Sequence, residues 1–207
     1  MKYKNKYTIQ SHIKKNSTHK KQKYVVRIAN GRNKLLAISM LQLFRNVLKI
    51  VKTRQEFKKY IKINKITING RSVSNINMYK RPIAAGEYID YGQGLKLICF
   101  VDKKLTLVDA GSDITYGYRK FTMLKGGLYQ INLHHNYNLI VKERPNMSRG
   151  ETVTIRNGAI KKIKTSKYIL LNGKMRGHLV SESEIKNYIL KFKKIMFYGV
   201  STNEKIS

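Results

Sequence analysis

The sequence predicts an α+β protein in which a helix–helix–hairpin segment precedes a series of small β domains. Three observations carry that expectation. Apolar residues recur every three or four positions over 35–51 and again over 54–62, the period of a helix with one buried face. Asn-Gly and Gly-Gly turns then punctuate the chain from residue 66 onward. Beyond Gly94 the apolar segments become short and closely spaced, the pattern of a small all-β unit. With 207 residues there is room for one large domain or two to three small ones, and 42% apolar residues can form modest cores.

Charge says most about the partner. Forty-three Lys and Arg face eleven Asp and Glu, a formal net charge of +32. A compact chain carrying that field repels itself, so a polyanion is expected beside it. The basic residues run through the apolar patterns instead of gathering in a tail, which favours folded RNA gripped over much of the surface. An AT-rich genome would enrich Lys, Asn, Ile and Tyr, but it would raise Asp and Glu with them, so the scarcity of acids points to function. The single cysteine, Cys99, excludes a disulfide within the monomer and reads as a small buried hydrophobe of a reducing compartment. Met1-Lys2-Tyr3-Lys4 opens a polar basic stretch, so no signal peptide is expected, and the apolar runs are too short to cross a bilayer.

Residues 1–33 hold Lys14, Lys15, Lys20, Lys21, Arg27 and Arg32 with little periodic apolar signal, as a basic arm that orders on RNA or as a solvated tail. A first helix is expected over 35–51, with its stripe at 36, 40, 43, 44, 47, 48 and 51. Thr53 followed by Glu56 forms a capping box that opens a second helix over 54–62, with Phe57, Tyr60 and Ile61 on one face. Asn64 tolerates the left-handed conformation that often ends a helix. Ile66–Ile68, the Asn69-Gly70 turn and Arg71–Val73 then make a hairpin, and Ala85-Gly86 turns into a strand over 87–91. Strand pairs follow at 95–101 with 105–108, at 121–124 with 128–133 across Lys125-Gly126-Gly127, and at 139–141 and 152–155, with a turn at Asn157-Gly158. Strand, Asn172-Gly173 turn, basic loop and strand account for 168–180. The tail fits a helix capped by Ser181 and Glu184, and it also fits two short strands.

Between residues 34 and 86 Glu56 is the only acid, whereas Arg45, Lys49, Lys52, Arg54, Lys58, Lys59, Lys62, Arg71 and Arg81 can lie opposite the apolar stripe. A merely solvated helix face usually mixes signs, so a phosphate backbone is the expected partner. Thr53, Asn69 and Gly70 lie within the same motif and complete its candidate RNA contacts. Catalytic readings find little support. His134 and His135, adjacent in an expected strand, would point to opposite faces and could not share a metal. Gly111–Gly117 lacks the Lys-Ser or Lys-Thr of a phosphate loop, and a lone cysteine with scattered histidines offers no nucleophile–base pair. Asp102, Asp109 and Asp113 suit turns. No enzyme, cofactor or metal site is expected. Most of the fourteen tyrosines suit a core, while Tyr116, Tyr118 and Tyr137 are placed near loops where they could stack on unpaired bases.

Phe44–Lys49, Thr53–Lys59 and Ile66–Arg71 resemble the S-four RNA-binding fold. More narrowly, they resemble the e-type small-subunit ribosomal protein S-four of the archaeal and eukaryotic lineage. Gly94–Ile98 is similar to that family's linking strand. Leu124–His134 with Asn138–Val141 is similar to its central domain and is the most specific match. Arg149–Val153 matches a turn into the next strand, Asn172–Gly177 sits where the family carries a KOW-type loop, and Lys194–Val200 resembles its closing strand, which favours strands in the tail. Phe57 and Asn64 depart from the pattern, which more often has a small residue and a glycine there, and the amino-terminal segment lacks the usual prolines and tryptophan. The resemblance implies a basic arm (1–33), an S-four RNA-binding domain (34–93), a small central β-barrel (94–164) and a C-terminal KOW/SH3-like β-barrel (165–207). It implies RNA contacts at Gly173, Lys174 and Arg176 as well as the basic residues above. It also implies a non-catalytic structural constituent of the small ribosomal subunit, bound to small-subunit rRNA and neighbouring ribosomal proteins, with no membrane, small-molecule substrate or homo-oligomer. Cytoplasmic ribosomes are the expected location, those of a reduced endosymbiont-derived nucleus or of a parasite included. A free RNA-binding translation or stress factor, or an RNA-modifying enzyme fragment, is the rival reading.

Overall fold

Ser39 decides where the first helix starts. In the computed structural model its hydroxyl accepts from the Gln42 N–H (3.3 Å) and donates to Gln42 Oε1 (3.0 Å), the work of an N-cap. The residues described are 26, 28–30, 37–73, 76–101, 104–111, 113–156, 159–172, 175–191 and 196–202. They form a mixed, mostly β protein with few helices and several sheets, divided into two compact units, Met1–Val108 and Asp109–Ser207. No helix among them is long and apolar enough to cross a membrane.

In the first unit the helix expected over 35–51 is shorter. Ala37–Ser39 is a strand (β1), paired antiparallel with Pro82–Ala84 (β4), and only Met40–Gln42 (α1) is α-helical before the turns widen into a π-helix over Leu43–Val47. The apolar stripe could not distinguish the two because Ala37 and Ile38 are as buried in the strand as they would be on a helix. Lys49 adopts the left-handed conformation (φ 57°) and Ile50 N–H returns to the Phe44 carbonyl at 3.0 Å, closing the π turn. The second helix, Arg54–Ile63 (α2), begins at Thr53 as expected. Asn64 does not end it in the left-handed region. It is extended (φ −103°, ψ 131°) and its Nδ2 donates to the Tyr60 carbonyl at 3.0 Å, so the side chain does what a backbone reversal would otherwise do.

Phe57 and Ile61 of α2 pack with Phe44, Leu43, Ile66, Ile68 and Ile98 in one apolar core. Phe44 meets the rings of Phe57, Tyr60 and Tyr91 at 5.4–5.8 Å. Beneath them lies a five-stranded antiparallel sheet whose order is β3-β2-β5-β6-β7, with β2 Ile66–Ile68, β3 Arg71–Val73, β5 Tyr88–Asp90, β6 Leu95–Val101 and β7 Lys104–Asp109. The β2–β3 hairpin pairs Ile68 with Arg71 across a two-residue turn in which Asn69 (φ 51°) and Gly70 (φ 75°) are both left-handed, the type I′ geometry that Asn-Gly favours. The sheet also runs past the boundary expected at residue 93. β6 completes the free edge of β5 and buries Leu97, Ile98, Cys99 and Phe100, so it belongs to the first unit.

The second unit holds a five-stranded antiparallel sheet of order β10-β9-β8-β11-β12 and a three-stranded one of order β14-β13-β15. The first comprises β8 Thr115–Met123, β9 Tyr129–Leu133, β10 Asn138–Val141, β11 Thr152–Arg156 and β12 Ala159–Lys162; the second comprises β13 Lys167–Leu170, β14 Leu179–Ser181 and β15 Phe197–Val200. Among the described residues β10 and β12 are the outer strands of the larger sheet. The sheets meet where Gly199 N–H donates to Thr152 Oγ1 (2.6 Å) and its carbonyl accepts from Thr115 Oγ1 (3.1 Å). Gly117 makes the approach possible, since a Cβ there would sit 2.5 Å from Tyr198 Cβ. The tail favoured as strands is divided between both forms. Glu182–Lys191 (α3) is helical, its start set by Glu184 Oε2 accepting from Ser181 N–H at 2.8 Å, and the strand character is confined to β15.

Candidate nucleic-acid interface

The inward pull of Phe57 and Ile61 fixes which way the rest of α2 faces. Arg54, Lys58 and Lys62 recur at every fourth position, which in an α-helix stacks them in one row about 6 Å apart. Lys59 flanks the row, and Lys59 and Lys62 are exposed. Arg54 is held in place because its guanidinium lies 3.8 Å from the centre of the Tyr79 ring, with Lys80 Nζ at 5.5 Å from the same ring. Tyr79 itself packs against the core, so the row begins at an anchored cation.

Other expected contacts divide by geometry. Gly70 and Arg71 stand exposed at the hairpin tip, and Lys49 and Lys52 are exposed at the end of the π turn and before α2. Arg45 Nε donates to Asn46 Oδ1 at 2.8 Å, and half-buried Arg81 reaches Met78 Sδ at 3.8 Å. Asn69 is not a surface contact. It is buried, its Oδ1 accepts from Tyr88 N–H at 2.8 Å and its Nδ2 faces Glu87 Oε1 at 3.5 Å, so it builds the turn. Thr53 likewise spends its hydroxyl on the Glu56 N–H at 3.1 Å. Arg176 is half-buried in the β13–β14 connection. Lys14, Lys15, Lys20, Lys21, Arg27, Arg32, Gly173 and Lys174 lie outside the described residues.

The described acids of the first unit serve the main chain. Glu56 Oε2 accepts from Lys52 N–H at 2.7 Å, a bond that holds its carboxyl below the ordinary carboxylate range. Glu87 Oε2 accepts from Ala84 N–H at 2.7 Å and Asp90 Oδ1 from Gly92 N–H at 2.9 Å. Lys49, Lys58, Lys59 and Lys62 form no ion pair with any described residue. Like charges at this spacing cost a helix about 0.2–0.5 kcal/mol per pair. The row therefore opposes folding of α2 in the free protein, and an anionic partner would reverse that sign.

In the second unit Tyr116 and Tyr118 are buried and Tyr137 packs against Tyr116 at 4.9 Å, so these rings belong to the core and not to base stacking. His134 and His135 do not alternate across a strand. A 3₁₀ turn with His135 left-handed (φ 63°) brings both to Tyr198: the His134 ring stacks on it at 5.6 Å and His135 Nε2 lies 2.6 Å from its hydroxyl. Burial, aided by His135, Arg119 and Arg149, pushes His134 down to about 4, so it is neutral at physiological pH. Sequence reasoning missed Tyr79 as the anchor of Arg54, and it missed Arg149, Lys162 and Lys164, which line one groove although they belong to separated segments.

No family model matches the chain, and no curated protein does. Among solved structures it is similar to the crystal structure of the 30S ribosomal protein S4e from Thermoplasma acidophilum, with a TM-score of 0.50. The likeness is one of fold. It spans 70% of this chain and 80% of that chain at 13% identity, and the mixed, mostly β architecture agrees with it.

Proposed function

We propose that this protein is a non-catalytic, structural RNA-binding constituent of the small ribosomal subunit. The observation that carries the reading is the row Arg54–Lys58–Lys62, which runs beside the buried Phe57 and Ile61 and has no carboxylate partner among the described residues. Its lysines and arginines neutralise rRNA phosphates and release counterions, with Lys49, Lys52, Lys59, Gly70, Arg71 and Arg81 extending the surface. The fold likeness to a 30S ribosomal protein supports the choice of RNA, as does the formal charge of +32. In finer terms, residues 34–93 act as an S-four-type RNA-binding module and 172–177 as a KOW-type loop that brings Gly173, Lys174 and Arg176 to RNA. The basic segment 1–33 contacts the same partner. Small-subunit rRNA and neighbouring ribosomal proteins are the partners, in cytoplasmic ribosomes.

The test is the combined charge reversal Arg54→Glu, Lys58→Glu and Arg71→Glu in tagged protein expressed in cells. The variant should fold, bind small-subunit rRNA more weakly and be depleted from small subunits sedimented through high salt. Normal incorporation of the variant, or loss of the unaltered protein from subunits at high salt, would remove the reading.

A further inference from the structure

Arg149 and Gly150 border two neighbouring depressions of the second unit. One, of about 520 Å³, is walled by His134, Leu171, Asn172, Met196 and Phe197. The other, of about 750 Å³, carries Lys162 and Lys164 together with Glu151 and Glu182. Each acid already has a cation: Glu151 lies 3.0 Å from Lys162 Nζ and Glu182 lies 3.2 Å from Lys186 Nζ. Lys164 and Arg149 remain exposed, with no carboxylate partner among the described residues.

The first depression has the walls of a slot for a flat ring. Phe197 is fixed edge-on to Tyr168 at 5.6 Å and 88°, and His134 is fixed by stacking on Tyr198. Met196 leaves 38% of its surface in solvent beside them. Asn172 Oδ1 accepts from Met196 N–H at 2.9 Å and ties that wall to the β13 end. Gly150 adopts φ +92°, a conformation that side-chain-bearing residues rarely take, at the border of both depressions. Among the described residues Arg149 bonds the Met196 sulfur, at 3.1 Å, a weak acceptor that leaves most of a five-donor guanidinium available.

Building on the RNA-binding reading above, we propose that this double groove is a site for single-stranded RNA. One extruded base enters between His134, Met196 and Phe197, and the flanking phosphates pass Arg149 towards Lys164. An aromatic slot beside a cationic track is how unpaired nucleotides are held, because a splayed base offers a free π-face that a duplex keeps inside its stack. A neutral His134 ring adds a face to the slot without adding a charge against Arg149.

The experiment measures anisotropy of the full chain with a short labelled oligoadenylate and with a labelled RNA duplex at the same salt. Phe197→Leu should weaken the oligoadenylate about tenfold, the loss of one stacked base, and leave the duplex within about twofold. Phe197→Tyr should restore the single-strand affinity. Met196→Ser, on an exposed side chain outside the core, should shift the same preference in the same direction. Unchanged oligoadenylate binding in Phe197→Leu and Met196→Ser, or an equal loss on both probes in both variants, would overturn the site. Failure of the unaltered protein to bind either probe would instead overturn the RNA-binding reading on which the site rests.

Discussion

Replacing Lys58 and Lys62 together by Gln should move two observables in opposite directions. The row Arg54–Lys58–Lys62 contains two like-charge contacts four residues apart, and the double replacement removes both. At about 0.2–0.5 kcal/mol per contact the free protein gains about 0.4–1 kcal/mol. Gln matches Lys in helix propensity, so no backbone term offsets that gain. For a unit of this size the melting temperature should rise by about 2–6 °C. Binding to duplex RNA should weaken, and the slope of log K against log salt should become shallower by about 1.8, two phosphate contacts at about 0.9 each. Thermal denaturation without RNA and titrations across a salt series read the two effects separately. An unchanged slope would mean that the row does not meet phosphate. A fall in melting temperature would mean that the lysines stabilise the helix, and the reasoning from self-repulsion would be wrong.

Three further outcomes follow from particular contacts. Thr53→Ala should cost about 1 kcal/mol in urea denaturation, because Glu56 N–H loses its acceptor at the start of α2. His134 is held near 4 while the unfolded chain takes its proton near 6.5, so the unfolded state binds more protons between those values and stability falls as pH drops through that window. The full difference corresponds to about 3 kcal/mol, reduced to about 2 kcal/mol by solvent screening of a partly open ring, and His134→Phe should abolish that part of the pH dependence in denaturation at pH 4 and 7. Gly117→Ala drives a Cβ into Tyr198 and His134 and should cost about 2 kcal/mol or more in thermal melting, since both neighbours are fixed close to their backbones.

Some of the fold was legible because its signals are local. Thr53 and Glu56 announce α2 within four residues, and Asn69-Gly70 closes a hairpin whose two-residue turn demands left-handed backbone. Gly126 and Gly127, both at positive φ, turn β8 into β9 where the sequence places the turn. Illegible features depend on a distant partner. Ala37–Ser39 is a strand only because Pro82–Ala84 lies beside it, and Glu182–Lys191 is a helix although the same apolar spacing suits two strands. The site divides in the same way. Arg54 and Arg71 are exposed, as charged side chains in polar positions tend to be, whereas nothing in the sequence shows that the Asn69 side chain turns in to Glu87 and Tyr88. Tyr116 and Tyr118 suit either a core or a loop surface in the sequence, and their burial decides for the core.

From its sequence alone this chain was determined to be a strongly cationic α+β protein with a capped helix, an Asn-Gly hairpin and a β-rich second half. Composition, caps and tight turns act over a few residues and need no knowledge of what packs where. Only the tertiary structure decided that β6 and β7 extend the first sheet, that both histidines converge on Tyr198, and that Arg149, Lys162 and Lys164 share a groove. Those are pairings between segments far apart in the chain, chosen by which apolar faces can be buried together, and periodicity along one strand carries no address for its partner.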